Sequence, residues 1–297
     1  MGASVNLRRY VNPAVRDTGE SEGVSPVSRA LTHSDYTGTM TRYSEVFEGS
    51  RYEHDLSPYD SVMGAKDVLQ DLMISTRERI RWNAAVAGSN VITDTSAHSL
   101  RTDTDAKITL GRLQVAVRAL QAAKGQEFTA LNNGSKNIGT NPVEPGYFCF
   151  VHTNAQPDIR AVTGFRAKSE FGGSLDAYPP GTFGAVQNII FVTSPEALYF
   201  PDAGASVGST GMLSTSGSKI DVYPYIIVAK HALTSVALAG NGKGGFGNTS
   251  IAVLDQADKS DPSNTRVQVS AAWYDLCMIT AQEWMQRIEC AVTANPA

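Results

Sequence analysis

The order strand, long loop, strand and then one very long helix occupies residues 1–90 and constrains the fold more tightly than any motif in the chain. Ala3, Val5, Leu7 and Val11 alternate with Asn6, Arg8 and Tyr10, the period of a half-buried strand. A second β-rich run, Thr39 to Phe47, is dense in Thr, Tyr, Val and Phe. Between them about 25 residues carry Pro13, Gly19, Gly23 and Pro26 with no apolar period, and a compact domain rarely keeps so long a loop without a use for it. Ser57-Pro58 then opens a helix expected to run to Gly88. Ser57 suits the cap, Pro58 the first helical position and Asp60 the acid of a capping box. Val62, Leu69, Leu72, Met73, Ile80 and Ala84 form its apolar stripe, and Gly88 is a natural stop. About 30 residues at 1.5 Å each give about 45 Å, more than a small domain is wide. A projecting loop beside such a spine predicts a protein built to hold neighbours.

Past the spine, residues 89–108 are polar, with a short strand expected at Val91 to Thr93. A second amphipathic helix follows from Leu110 to Lys124, with Leu110, Leu113, Val117 and Leu120 on its apolar side and Gly125 ending it. Asn132 to Pro145 reads as a turn-rich connection. Tyr147 to Val151 is apolar throughout, as a strand buried on both faces requires. Asn154 is expected to cap a short helix holding Ile159 and Val162. Phe165 to Ala185 and Ala203 to Ser218 read as Gly-rich loops. Asn188 to Thr193, Val222 to Ala229 and Ile251 to Leu254 read as strands, with Pro224 marking an edge or bulge. Thr265 to Val292 reads as one long closing β segment.

With 297 residues and 42% hydrophobic content, the chain has enough apolar mass for a sizeable core, expected as two subdomains. Charged residues make up 18%, below the usual quarter, which fits either a low-charge soluble protein or one whose surface is covered by partners. A net charge of −4 without a Lys/Arg cluster argues against tight sequence-independent binding to nucleic acid. No apolar run is long enough to span a membrane, and no signal-peptide core opens the chain. Cys149, Cys277 and Cys290 are odd in number and widely spaced, so they read as reduced, mostly buried thiols of an intracellular protein.

Three patterns resemble chemistry. Gly204-Ala205-Ser206-Val207-Gly208 matches the nucleophile elbow, with Asp221 and His231 following in the hydrolase order. That elbow needs a strand before it and a helix after it, whereas this match lies in a Gly/Ser loop. Gly240 to Gly245 matches a dinucleotide loop, but Phe246-Gly247-Asn248-Thr249 is a poor helix start. His33, His54, His98, His152 and His231 are dispersed, without metal-ligand spacing. No catalytic, cofactor or metal residue is therefore expected, and the chain is not expected to be an enzyme. Asp67, Asp71, Arg77, Glu78 and Arg81 decorate the polar side of the long helix, as intrahelical pairs or as a charge patch toward another subunit.

The element order and several local runs resemble tailed-bacteriophage major capsid proteins of the Hong Kong 97-type fold, in the branch typified by the coat protein of coliphage N-four. The runs are Val5 to Tyr10, Glu22 to Pro26, Thr37 to Phe47, the long helix, Thr109 to Ala119, Tyr147 to Ile159, Val222 to Leu238 and Arg266 to Ala291. The resemblance implies an α+β fold in which residues 12–35 form an extended E-loop lying across an adjacent subunit. Residues 58–87 would be the spine helix of a peripheral domain comprising 1–11, 36–108 and 260–297, and residues 109–259 an axial domain. It implies E-loop contacts to a neighbour through Arg16, Asp17, Glu20, Glu22 and Arg29, and spine contacts through Asp67, Asp71, Arg77 and Arg81. It also implies pentamers and hexamers closing into an icosahedral shell in the virion, assembled in the host cytoplasm. Double-stranded DNA would be enclosed without sequence-specific binding, with portal, scaffolding or decoration proteins as further partners and no cofactor. Family members usually carry an N-terminal arm before the first strand, which this chain enters almost at once, and no residue here carries a cross-linking motif. Two alternatives stand: a bacterial nanocompartment shell of the same fold, and a serine hydrolase using Ser206.

Overall fold

The alternation around Val5 and Leu7 produces strand β1 (Ser4–Tyr10), the first of fourteen among the described residues of the computed structural model. The structure describes residues 4–20, 22–23, 25–26, 28–56, 58–59, 61–128, 146–170, 178–208, 211–236, 250–257 and 261–295. In chain order β1 is followed by β2 (His33–Thr39), β3 (Thr41–Ser50), α1 (Arg51–Leu56), α2 (Ser61–Val86), β4 (Val91–Thr93) and α3 (Leu110–Ala122). Next come β5 (Tyr147–His152), α4 (Gln156–Arg160), β6 (Phe165–Ala167), β7 (Thr182–Val186) and β8 (Ile189–Ser194). The chain closes with β9 (Tyr223–Val228), β10 (Leu233–Ser235), β11 (Ser250–Leu254), β12 (Arg266–Asp275), β13 (Cys277–Ile279) and β14 (Met285–Cys290).

These elements fall into two compact units, Met1–Lys66 with Ser235–Leu276, and Asp67–Thr234 with Cys277–Ala297. In the first, β1 and β2 form an antiparallel two-stranded ribbon with Ser4 opposite Thr39 and Tyr10 opposite His33. A separate three-stranded sheet has the order β11-β12-β3. Val267, Val269, Ala271 and Trp273 are buried on one face of β12, and Tyr43 of β3 stacks on Trp273 at 6.1 Å.

The second unit is built on a seven-stranded mixed sheet ordered β4-β14-β9-β5-β8-β7-β6. Alternation along each strand divides its core in two. Tyr147, Cys149, Phe191, Tyr225, Ile227 and Ile288 pack with Leu113, Ala116 and Leu120 of α3 and Ile159 of α4. Phe148, Ile190, Val192, Ile226, Val228 and Met285 pack with Trp82 and Ala85 of α2. Helices thus cover both faces, which is why these strands read as unbroken apolar runs. Each large side chain so buried contributes about 1.5–3 kcal/mol. Burial also pushes the Cys149 and Cys290 thiols well up, so both are inert core residues.

Several local expectations are corrected. The spine begins at Ser61, not Pro58, and a separate short helix, α1, ends at Leu56 just upstream. Ser57 and Asp60, the expected cap and capping-box acid, lie outside the described residues, as do Asn132 to Pro145 and Gly240 to Gly245. Gly88 is not a left-handed stop. Helix α2 ends at Val86 just before it, and Arg287 caps the helix by donating to the Val86 carbonyl. At the end of α3 the left-handed residue is Lys124 (φ 56), one before Gly125. Asn154 does not cap α4, whose N-cap is Ala155; its amide donates to the Tyr223 hydroxyl at 3.1 Å. Pro224 lies in an interior strand, tolerated because pairing of β9 with β5 has ended at Ile226. The closing segment is three strands, with β12 in one unit and β14 in the other.

Candidate assembly surface

The β1–β2 ribbon has two chemically different faces. On one, cross-strand partners match in polarity: Thr37 donates to Asn6 at 2.8 Å, Arg8 makes two bonds to Asp35 at 2.8 and 3.0 Å, and Tyr10 meets the His33 ring edge-on. Hydrogen bonding to Arg8 holds the Asp35 carboxyl below the usual range. The other face carries Val5 opposite Gly38, Leu7 opposite Tyr36 and Arg9 opposite Ser34, all half-buried. An isolated hairpin is marginal in water, and this one projects a connecting segment whose described residues, 11–32, are all exposed. Val15 is 75% exposed and Leu31 65%.

Of the expected loop residues, Arg16 pairs with Glu20 at 3.1 Å and Arg29 donates to the Ala14 carbonyl at 2.8 Å, which ties the segment to itself. Asp17 and Glu22 are exposed beside them. Along α2, Asp67 and Asp71 are exposed and share a face with Ile74, while Val68 and Leu72 are exposed on the flank. Arg77 and Arg81 lie further along, half-buried and held by other groups of the chain. Acids interleaved with bare apolar side chains fit a covered surface better than a solvated one.

Elsewhere in the second unit, buried carboxylates organise the loops. Asp221 accepts from the Asp202 and Thr215 amides and the Thr215 hydroxyl, at 2.9, 2.8 and 2.8 Å. Its oxygens are thus taken by loop donors, not by His231 as a catalytic triad requires. Gly204 of the elbow pattern is glycine because a Cβ would stand 2.8 Å from the Thr104 carbonyl oxygen. Asp158 accepts from the Thr293 amide and hydroxyl at 2.8 and 2.7 Å. Glu289 is gripped by Arg101 and Arg287. Asp94 gathers the connection between β4 and α3, and with His98 and Asp105 it brings polar atoms within 4.8 Å of one another. The i, i+4 spacing of Asp94 and His98 was the available signal for that cluster, and the apolar alternation of Val5 and Leu7 was the signal for the half-buried ribbon face.

No protein-family model matches the sequence, and no curated protein matches it. Solved structures do. The capsid of Ralstonia phage GP4 superposes with a TM-score of 0.71 at 12% identity, covering 100% of this chain and 86% of that one. The capsid of cyanophage Pam1 gives 0.64 at 12% identity, covering 99% and 86%. The SrpI encapsulin complex of Synechococcus elongatus gives 0.53 at 11%, covering 90% and 80%. The chain therefore has the α+β fold of Hong Kong 97-type capsid proteins along its whole length.

Proposed function

We propose that the protein is the major capsid subunit of a tailed bacteriophage, assembling as pentamers and hexamers of an icosahedral shell around double-stranded DNA. The observation that carries this reading is the ribbon. A two-stranded element with an apolar face and a connecting segment exposed at every described residue is marginal by itself, and it belongs to a chain that matches phage capsid subunits end to end. In this reading residues 12–35 are the E-loop, α2 is the spine and residues 109–259 form the axial domain. Arg16, Asp17, Glu20, Glu22 and Arg29 meet a neighbouring subunit, as do Asp67, Asp71, Arg77 and Arg81 of the spine. Heterologous contacts of this kind close into rings, and the rings tile a shell whose many weak contacts act together. The runs Val5 to Tyr10 and Thr37 to Phe47 support the branch typified by coliphage N-four, in a virion assembled in the host cytoplasm with portal, scaffolding or decoration proteins. The modest negative charge suits DNA that is confined and not gripped.

The likeness to an encapsulin supports a second reading, a nanocompartment enclosing protein. Electron microscopy of purified particles, with nuclease treatment before extraction, separates the two. Angular shells holding nuclease-protected DNA support the phage subunit, enclosed protein supports the compartment, and a monodisperse monomer at high concentration rejects both.

A further inference from the structure

The 94–106 connection is closed around a single buried side chain. Asp94 is 2% exposed, and its Oδ2 accepts from the amides of Asp105 and Ala106 at 2.9 and 2.8 Å. Its Oδ1 accepts from the Thr95 amide at 2.8 Å and faces the His98 Nδ1 at 2.8 Å. Three backbone N–H groups already donate to this carboxylate, and the 2.8 Å contact at Oδ1 completes the set with the His98 Nδ1–H as donor. The ring is 22% exposed, which leaves its far side open to protons from solvent. The charged groups around the pair are the Asp105 carboxylate, 4.0 Å from Nδ1, the Asp103 carboxylate, and Arg112 of α3, which donates to the Asp94 carbonyl at 3.1 Å. On the β14 side the Asp94 charge acts on the neutral Cys290 thiol.

The closed connection is also what seats its neighbours. The Thr104 carbonyl accepts from the Ala205 amide at 3.0 Å, and the Ala106 carbonyl accepts from the Ala291 amide at 3.0 Å. Ala205 in turn accepts from Ile220, and Gly204 donates to the Ile220 carbonyl, so the loop around Gly204 hangs on the 94–106 backbone.

We propose that Asp94 and His98 form a pH-operated latch, which holds the 94–106 connection and the loop seated on it closed while His98 is a cation and loosens both when the ring becomes neutral. The inference is independent of the assembly reading. The sign follows from the surroundings. The hydrogen bond to Asp94 raises the His98 pKa first, burial opposes it, and the Asp94, Asp105 and Asp103 charges raise it further. A raised folded-state pKa gives stability that is complete below the unfolded value and is lost as pH rises through the folded one. Deprotonation keeps a neutral hydrogen bond but removes the cation beside a buried anion.

Hydrogen exchange on the full chain tests this, from about pH 5 to about pH 8.5 on either side of the ordinary histidine value, with rates normalised for intrinsic pH dependence. Protection in 94–107 and 199–208 should fall several-fold together as pH rises, at the midpoint at which the His98 imidazole resonance titrates. His98→Ala should lack the step and sit at the low-protection level throughout. His98→Arg, a permanent cation, should lack the step and sit nearer the protected level. A step that persists in His98→Ala, a His98 titration below the ordinary range, or equal protection at both ends of the series overturns the latch. Should the variants fail to fold, the wild-type titration and exchange midpoints still decide, because their disagreement rejects it.

Discussion

Arg101 and Glu289 lie 188 residues apart in sequence and meet through two parallel hydrogen bonds of 2.7 and 2.8 Å. Glu289 is buried in β14, and Arg287 on the same strand approaches the same carboxylate at 2.9 Å. Burial lowers the Arg287 pKa, and Glu289 counters it by keeping the cation charged. Arg101 also lies 3.5 Å over the Phe200 ring centroid, so one guanidinium fastens β14 to the loop beside it.

Removing the acid leaves Arg287 buried beside no anion. Glu289→Gln should destabilise the protein by about 3–5 kcal/mol, the range for breaking a buried ion pair from one side. Arg101→Lys, which retains charge without the planar fork, should do less harm. Urea unfolding of purified monomer measures both, and wild-type stability in Arg101→Lys would contradict the bidentate role given to Arg101.

The elbow pattern separates packing from catalysis. Ser206→Ala should leave stability unchanged, whereas Gly204→Ala brings a Cβ to 2.8 Å from the Thr104 oxygen and 3.0 Å from that of Ile220. A loss of about 1–3 kcal/mol is expected for the glycine variant. Esterase activity abolished by Ser206→Ala would restore the hydrolase alternative.

His152 has the opposite pH sense to His98. Burial lowers its pKa, Arg79 lowers it further, and its ring packs against Tyr199 and Tyr223 at 5.6 and 5.4 Å. A depressed folded-state value gives stability that is present above the ordinary histidine range and is lost as pH falls through the folded value. His152→Phe should therefore flatten the acid side of the stability curve. Chemical unfolding across the pH series reads this directly.

Much of the fold was legible because burial on both faces writes continuous apolar runs, as in Tyr147 to Val151 and Tyr223 to Val228. Strand β2 was hidden, because half-exposed His33 to Thr39 carries no apolar alternation beyond Tyr36. Strands β6 and β7 were hidden for another reason. Gly184 is required where a Cβ would strike the Phe165 ring, so a packed sheet edge took on the composition of a loop. For the surface, charge was visible in Arg16, Asp17, Asp67 and Asp71, but exposure was not. That Val15, Leu31, Val68 and Ile74 stand bare follows only from the packing of the rest. Nor does its charge reveal that Glu289, inside the closing β segment, is buried.

Folding and assembly should be separable at the ribbon. Deleting Asp17 to Ser28 removes chain whose described residues are all exposed, so stability should stay within about 0.5 kcal/mol of wild type, as for other surface changes. Substituting Leu7 and Tyr36 with Ser removes the apolar face while keeping the backbone ladder and the Arg8–Asp35 pair. Both variants should remain monomeric under conditions in which the wild-type chain forms shells. A milder lesion, Asp67→Lys with Asp71→Lys, should weaken assembly in a salt-dependent way, because exposed charges interact over a Debye length of about 10 Å at 0.1 M salt. Sedimentation velocity with electron microscopy distinguishes the three. If the deletion variant forms intact shells, the segment connecting β1 and β2 has no part in joining subunits.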